Sequence, residues 1–598
     1  MTGDSRPPDA LSSVSQARHG GALLAWLLAQ HGVRHVFGVP GGQTLALYDG
    51  ILDWEPAMRH VLVRDERTAA YAADAYARVT GSVGVCDATV GPGAAKLPSG
   101  LGEALGASVP VIALVSELPA RLAAHRYRSA ASQALDQASM LAPVTKWQAL
   151  VPDAAAMPAL VGQAFRMATT GRPGPVALFL PQDVLDAPVG KAWPADPPAG
   201  SAGPLRFGSF PPFRPVPDAG DLEAAATILR QAVRPFILAG GGAMHSGAGP
   251  ALTGLAERLS AAVGTSLTGK GVIPEDHPLS AGVTGSMGAP SANAALAEAD
   301  VVLLVGTKAS AGATTNWSLP RIDQTVLQLD LDPAELGRAF PLQAGMLGDA
   351  KAGLLALSAA LADAAQPEPE PARGAWRERV SALVGTWRDK RDAERASDQV
   401  PIAPQRVLGE LERVMRPGDL LVCDASLASG WAGAYFEQRT QGRQILFPRG
   451  QAGLGYALPA AIGAATAHPG TRTVVLAGDG AFGYAVGELA TLVEHKLPVT
   501  IVILNNRSLG WIRWYRRTVF SRGWEGDDFG DVAFADVARA FGLRGQRVTQ
   551  PGQLAAALRS AAEGAGPTLV DVVTEVWQTP ISAHREAVDS GRAAGYGG

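Results

Sequence analysis

The sequence predicts an α/β fold of three doubly wound domains, each a parallel sheet covered by helices. Short, fully apolar, β-branched runs recur along the chain between longer Ala/Leu-rich stretches of helical period. That is the pattern of parallel strands buried on both faces. At 598 residues the chain is also too long for one hydrophobic core. Two proline-rich stretches, 191–217 and 364–373, divide it, because proline removes backbone donors and fixes φ, so neither stretch is expected to pack.

The expected organisation is a tail (1–19), a first domain (20–190), a linker (191–217), a central domain (218–362), a linker with helix (363–399), a third domain (400–580) and a second tail (581–598). In the first block Val33–Val39, Gly84–Ala88, Val109–Val115 and Val176–Leu180 read as strands, and Ala69–Val79 as a helix. Pro235–Ala239, Val301–Val305 and Val326–Asp330 are the strands expected in the central block. In the third they are Thr473–Leu476, Val499–Leu504 and Thr568–Val572.

Composition narrows the function. With 51 basic and 55 acidic residues, the net charge of −4 offers no field for nucleic acid or an anionic membrane. Cys86 and Cys423 each stand alone in an apolar run, which excludes a disulfide framework and suits a reducing compartment. The first 20 residues lack the apolar core of a signal peptide, and the longest apolar runs are strand-length. A soluble cytoplasmic protein is expected.

The most informative segment is Gly478-Asp479-Gly480-Ala481-Phe482, directly after an apolar strand. A helical stretch (Val486–His495), the strand Val499–Leu504 and the turn Asn505-Asn506-Arg507-Ser508-Leu509-Gly510 follow. Asp479 and Asn506 lie 27 positions apart, one βαβ crossover. Both therefore fall at the carboxyl ends of neighbouring parallel strands, where open α/β sheets bind ligands. Asp479 and Asn506 are hard oxygen ligands, and Ser508 could add a backbone carbonyl. With two diphosphate oxygens and a water they complete the octahedron that Mg²⁺ demands. Gly478 and Gly480 let the backbone approach phosphate at a helix N-terminus. A lone Gly-Asp-Gly is a common turn; paired with Asn-Asn one crossover later it becomes specific.

This pairing resembles the fingerprint of the thiamine diphosphate superfamily of acetolactate synthase, pyruvate oxidase and benzoylformate decarboxylase. Gly453-Leu454-Gly455-Tyr456-Ala457 resembles the segment preceding that fingerprint, and Leu454 matches the bulky apolar residue that bends the cofactor. Ser426, Leu427 and Ala428 fall where the family's backbone holds the diphosphate. In the first block Val63-Arg64-Asp65-Glu66-Arg67 resembles the family's strand–HEQ–helix segment, with Asp65 and Arg67 replacing His and Gln and the glutamate retained. The resemblance implies that Glu66 is the carboxylate that hydrogen-bonds N1′ of the aminopyrimidine. Pro40 and Gly41, in Phe37–Gly42, match the turn against that ring, and Thr89-Val90-Gly91-Pro92-Gly93 resembles the SGPG turn. Gln133 falls on a glutamine that faces the reacting carbon, and Lys146 on a lysine of the same segment.

The resemblance implies an aminopyrimidine-binding first domain, a diphosphate-binding third domain and active sites at the interface of a homodimer or homotetramer. The implied reaction is decarboxylation of a pyruvate-like 2-keto acid, after which the enamine attacks a second carbonyl compound. A 2-hydroxyacyl-CoA lyase or oxalyl-CoA decarboxylase is the nearest alternative, and Arg513, Arg516, Arg517 and Arg522 could serve a carboxylate or a coenzyme A phosphate. A non-catalytic regulatory paralogue is the remaining one. Acetolactate synthases carry FAD in the central domain. Leu329–Gly337 keeps part of that pattern, whereas Gly306–Gly312 stands where those enzymes have an Arg-containing acidic segment that contacts flavin and the second 2-keto acid, which argues against FAD and against strict acetolactate synthase activity. Gly240-Gly241-Gly242-Ala243 lacks the spacing and the acid of a dinucleotide loop.

Overall fold

The computed structural model describes residues 18–190, 205–362, 370–520, 526–564 and 566–580. The tail at 581–598, the first 17 residues, positions 191–204 of the first linker and Arg522 lie outside the described residues, as does the side chain of Arg517.

Among the described residues, eighteen strands form three parallel six-stranded sheets. The first contains β1 (His35–Gly38), β2 (Arg59–Leu62), β3 (Gly84–Ala88), β4 (Val111–Glu117), β5 (Trp147–Leu150) and β6 (Val176–Pro181), ordered β2-β1-β3-β4-β6-β5. The second contains β7 (Pro235–Ala239), β8 (Ala262–Thr265), β9 (Ser280–Val283), β10 (Val301–Val305), β11 (Thr325–Asp330) and β12 (Ala344–Leu347), ordered β12-β11-β10-β7-β8-β9. The third contains β13 (Leu420–Cys423), β14 (Ile445–Leu446), β15 (Thr473–Gly478), β16 (Val499–Asn505), β17 (Arg544–Val548) and β18 (Thr568–Val573), ordered β14-β13-β15-β16-β18-β17. The predicted class, three doubly wound α/β domains, is the observed one. The apolar runs singled out in the sequence form the inner strands; short or polar edge strands such as β2, β5 and β17 complete each sheet.

The chain forms two compact units. One runs to Phe213 and includes Pro459–Ala467; the other spans Arg214–Leu458 and continues from His468. The first unit packs Leu24, Val36, Ile112, Phe165 and Leu178 into one core. In the second unit the central and third sheets share a core, in which Phe236 and Leu304 join Val474, Val502 and Val570. Trp376 and Val380 enter this core from the helix Glu370–Arg395. Its first residues, 370–373, correct the expectation that the second proline-rich stretch does not pack, whereas a helix within 363–399 was expected. Pro371 lies in its first turn, where a missing N–H costs nothing. Two residues on, Arg373 is fully buried and donates to the carbonyls of Leu229, Arg230 and Ala232.

No helix among the described residues is long and apolar enough to cross a membrane.

Candidate active site

In the second unit, β15 and β16 pair with Gly478 opposite Leu504, so the Gly-Asp-Gly and Asn-Asn turns leave the sheet side by side. Asp479 opens a short helix, Asp479–Gly483, and is 5 % exposed. Burial raises its pKa to about 6, against the pull of backbone N–H groups from Gly480 in its own turn and from Arg507 and Ser508 across the gap. The two turns thus meet at one carboxylate. The adjacent asparagines divide their work. Asn505 is buried and donates to Asp571 at 2.9 Å and to the Val532 carbonyl, pinning β16 to β18. Asn506 turns to the opening, and its Oδ1 accepts from the Ser508 N–H at 3.1 Å.

A cavity of about 260 Å³ lies here. Gly478, Asp479, Gly480 and Ala481 form one wall, and Asn506 and Ser508 another. Ser426, Leu427 and Ala428 face them, with Leu454 completing the lining. Phe482 is the exception among the predicted residues: its ring is buried edge-on against Phe534, behind the wall. A Cβ on Gly478 would meet nothing within 4 Å, so the backbone here borders open space. Ser426 caps the helix Leu427–Tyr435 with φ 64° and ψ −139°, a conformation sparsely populated by any L-residue. Strain of this kind concentrates where a loop must present its N–H groups to a ligand.

Sequence reading missed Asp424, which precedes this strained turn. Its carboxylate is buried, accepts from the N–H groups of Ala425, Gly455 and Ala457 at 2.8–3.0 Å, and is raised to about 6 by burial. Trp511, Glu575 and Gln578 also line the cavity and were not foreseen.

The first unit gathers the remaining predicted residues around the turn Thr89–Gly93. A Cβ on Gly41 would lie 2.2 Å from Thr89 Oγ1, and one on Gly91 2.1 Å from the Gln133 carbonyl. Pro40 is exposed beside Gly41. Gln133 has φ 65° and accepts from Gln43 Nε2 at 3.3 Å, while Thr89 donates to Gln43. Asp65 caps the helix Glu66–Thr80 by accepting from the Arg67 N–H, so the helix begins three residues before the predicted Ala69 and places Glu66 in its first turn. Glu66 is 5 % exposed, and a Cβ on Gly93 would lie 2.8 Å from its Oε1. Lys96 Nζ stands 3.1 Å from Glu66 Oε2 without hydrogen-bond alignment, so that oxygen has a counter-charge and no hydrogen-bond donor. Lys146 is placed elsewhere: its ammonium is satisfied by the carbonyls of Thr170 and Arg172.

The donor sets fit thiamine diphosphate and Mg²⁺. The buried Asp479, with Asn506 and Ser508 across from it, lines an opening that glycine borders, and a buried Glu66 oxygen has no hydrogen-bond partner. Among the described residues no cluster of three or more His, Cys, Asp or Glu side chains offers a different metal site. The central glycine run makes no such opening. A Cβ on Gly240 would lie 2.4 Å from the Gly306 carbonyl, and one on Gly242 2.9 Å from it. These glycines serve close strand-end packing.

Fold and site define an enzyme that holds a diphosphate cofactor at the carboxyl ends of parallel strands. Three models of the thiamine pyrophosphate enzyme match in order: the N-terminal TPP binding domain at 18–140, the central domain at 222–357 and the C-terminal TPP binding domain at 424–572. The chain is 33% identical to the "probable acetolactate synthase large subunit" of Methanocaldococcus jannaschii over 93% of its own length and 92% of that protein's. It is 34% identical to the acetolactate synthase large subunit of Parasynechococcus marenigrum, over 94% and 88%. It is 35% identical to the "probable 2-ketoarginine decarboxylase" of Pseudomonas aeruginosa, over 82% and 83%. The chain belongs to the thiamine pyrophosphate enzyme family and is a thiamine diphosphate-dependent enzyme.

Proposed function

We propose that this enzyme decarboxylates a pyruvate-like 2-keto acid and joins the remainder to a second carbonyl compound, as an acetolactate synthase does. The observation that carries this reading is the cavity in which Asp479, Asn506 and the Ser426–Ala428 turn converge. Bound thiamine diphosphate supplies a nucleophilic carbon and an electron sink for the carbon beside a carbonyl. Asp479 and Asn506, with the Ser508 carbonyl, would hold Mg²⁺, and the N–H groups after Ser426 and Gly478 would receive diphosphate oxygens. Glu66 would hold a proton at its Oε2 and donate it to N1′ of the aminopyrimidine, the partner that this buried oxygen lacks. Leu454 would bend the cofactor, and Gln133 would orient the reacting carbon. We place the active enzyme in the cytoplasm as a homodimer or homotetramer, with the domain boundaries given by the two linkers; the buried, unpaired Cys86 and Cys423 support the reducing compartment.

A second reading, decarboxylation of a keto acid with a cationic tail, is favoured by the acidic Glu575 among the cavity's lining residues and by the likeness to the 2-ketoarginine decarboxylase. The coenzyme A thioester reading loses support, because Arg513 pairs with Asp528 and Arg516 with Asp527. FAD in the central domain gains none from the glycine run, which is closed by Gly306.

Turnover of pyruvate and of 2-ketoarginine by enzyme loaded with thiamine diphosphate and Mg²⁺, with product identification, tests the proposal. Acetolactate from pyruvate supports it, and Glu66→Gln should then lower the rate by ~10²–10⁴-fold, the worth of a positioned acid–base group. Consumption of 2-ketoarginine alone would transfer the conclusion to the second reading.

A further inference from the structure

Asp424 lies immediately after β13 and holds the two loops that face the cofactor cavity. Its own backbone is fixed from both sides: its N–H donates to the Leu476 carbonyl at 2.9 Å, and its carbonyl accepts from Ser429 Oγ at 2.6 Å. Its side chain is 1 % exposed. One carboxylate oxygen accepts from Ala425 N–H, which leads into the strained Ser426, and from Gly455 N–H at 3.0 Å. The other accepts from Ala457 N–H at 2.9 Å. Gly455 has φ 84°, and a Cβ there would lie 2.6 Å from Tyr484 Cβ, so the turn carrying Leu454 follows a path that few sequences adopt. A buried carboxylate is costly unless its oxygens are satisfied, and here the donors are backbone N–H groups of the turns themselves.

We propose that Asp424 is a positioning residue that sets the backbone of the Gly453–Ala457 turn, and through it the placement of the Leu454 side chain in the cofactor cavity. The inference rests on the reading of Leu454 as the residue that bends the cofactor. An asparagine at 424 keeps the size but turns an NH₂ group toward N–H donors, so the turn is released while the Leu454 side chain is retained.

A double-mutant cycle on the full-length enzyme tests this with Asp424→Asn, Leu454→Ala and the double variant. Thiamine diphosphate with Mg²⁺ is the ligand; affinity is read by tryptophan fluorescence and the conformation of the bound cofactor by its near-ultraviolet circular dichroism. The keto acid rate is measured in parallel. Asp424→Asn should alter the dichroism in the sense that Leu454→Ala does and lower the rate by roughly 10–100-fold, the scale on which small misplacements act. In the Leu454→Ala background it should add little, because both changes act through one side chain. Additive effects, or wild-type dichroism in Asp424→Asn while Leu454→Ala departs from it, would overturn the proposal. If Leu454→Ala itself behaves as wild type, the reading of Leu454 falls, and the role of Asp424 with it. Asp424→Ser, which admits water to the freed N–H groups, replaces the asparagine variant if that one does not fold. Failure of both to fold would overturn the proposal by making Asp424 a residue of the fold.

Discussion

Two glycine-rich turns follow two parallel strands of the second unit, and they do opposite things. Gly240-Gly241-Gly242, after β7, lies against the end of β10, with Gly306 so near that no Cβ fits at 240 or 242. Gly478-Asp479-Gly480, after β15, opens at Gly478 onto a cavity of about 260 Å³ and buries an aspartate at its edge. Glycine after a strand therefore signals close backbone approach, and the neighbouring strand end decides what approaches. At β7 it is another loop of the same sheet. At β15 the polar Asn506 and Ser508 stand across the gap, and a ligand can enter.

The open side carries buried carboxylates, and their titration gives the largest expected effect. Asp424 is raised to about 6 by burial, so its contribution to folding is fully present below the ordinary aspartate value and is lost as pH climbs through about 6. Denaturant unfolding of the ligand-free protein at pH 4 and pH 7.5 should show wild type losing more stability than Asp424→Asn, by up to roughly 2.5 kcal/mol. An equal loss in both proteins would remove Asp424 from the account. On the closed side, Gly240→Ala forces a Cβ into the Gly306 carbonyl and should cost ~1–3 kcal/mol in the same unfolding measurement, with thiamine diphosphate affinity unchanged. Gly478→Ala should cost least, within about 0.5 kcal/mol, since its φ of −75° suits alanine and its surroundings are open. Its effect should appear in cofactor affinity instead. Reversal of that pattern between the two glycines would erase the distinction drawn here.

Sequence carried the cofactor fingerprint because its parts are local: Asp479 and Asn506 sit at the ends of adjacent strands within one crossover. The inner strands were legible for a similar reason, as runs such as Val301–Val305 are apolar throughout and buried on both faces. Edge strands were not, because half their residues face outward; Arg544–Val548 reads as a polar loop until β18 is seen beside it. The start of the helix Glu370–Arg395 was hidden by prolines that a first turn tolerates. Asp424 was hidden more deeply. Two of its partners are backbone N–H groups more than 30 positions away, and backbone donors leave no trace in residue type. Lys96 escaped notice because its ion pair with Glu66 depends on the Gly91–Gly93 turn folding back onto the start of a helix.

The proposed function turns on whether the Asp479–Asn506 gap would hold the diphosphate through a divalent cation. Its most direct test is the affinity of the wild-type protein and of Asp479→Asn for thiamine diphosphate, measured by calorimetry with Mg²⁺ and again after removal of divalent cations with EDTA. Tight binding is expected only for wild type with Mg²⁺, with a loss of ~2–5 kcal/mol on removing either the ion or the carboxylate and no further loss on removing both. Binding by wild type that ignores EDTA, or by Asp479→Asn that matches wild type, would contradict it.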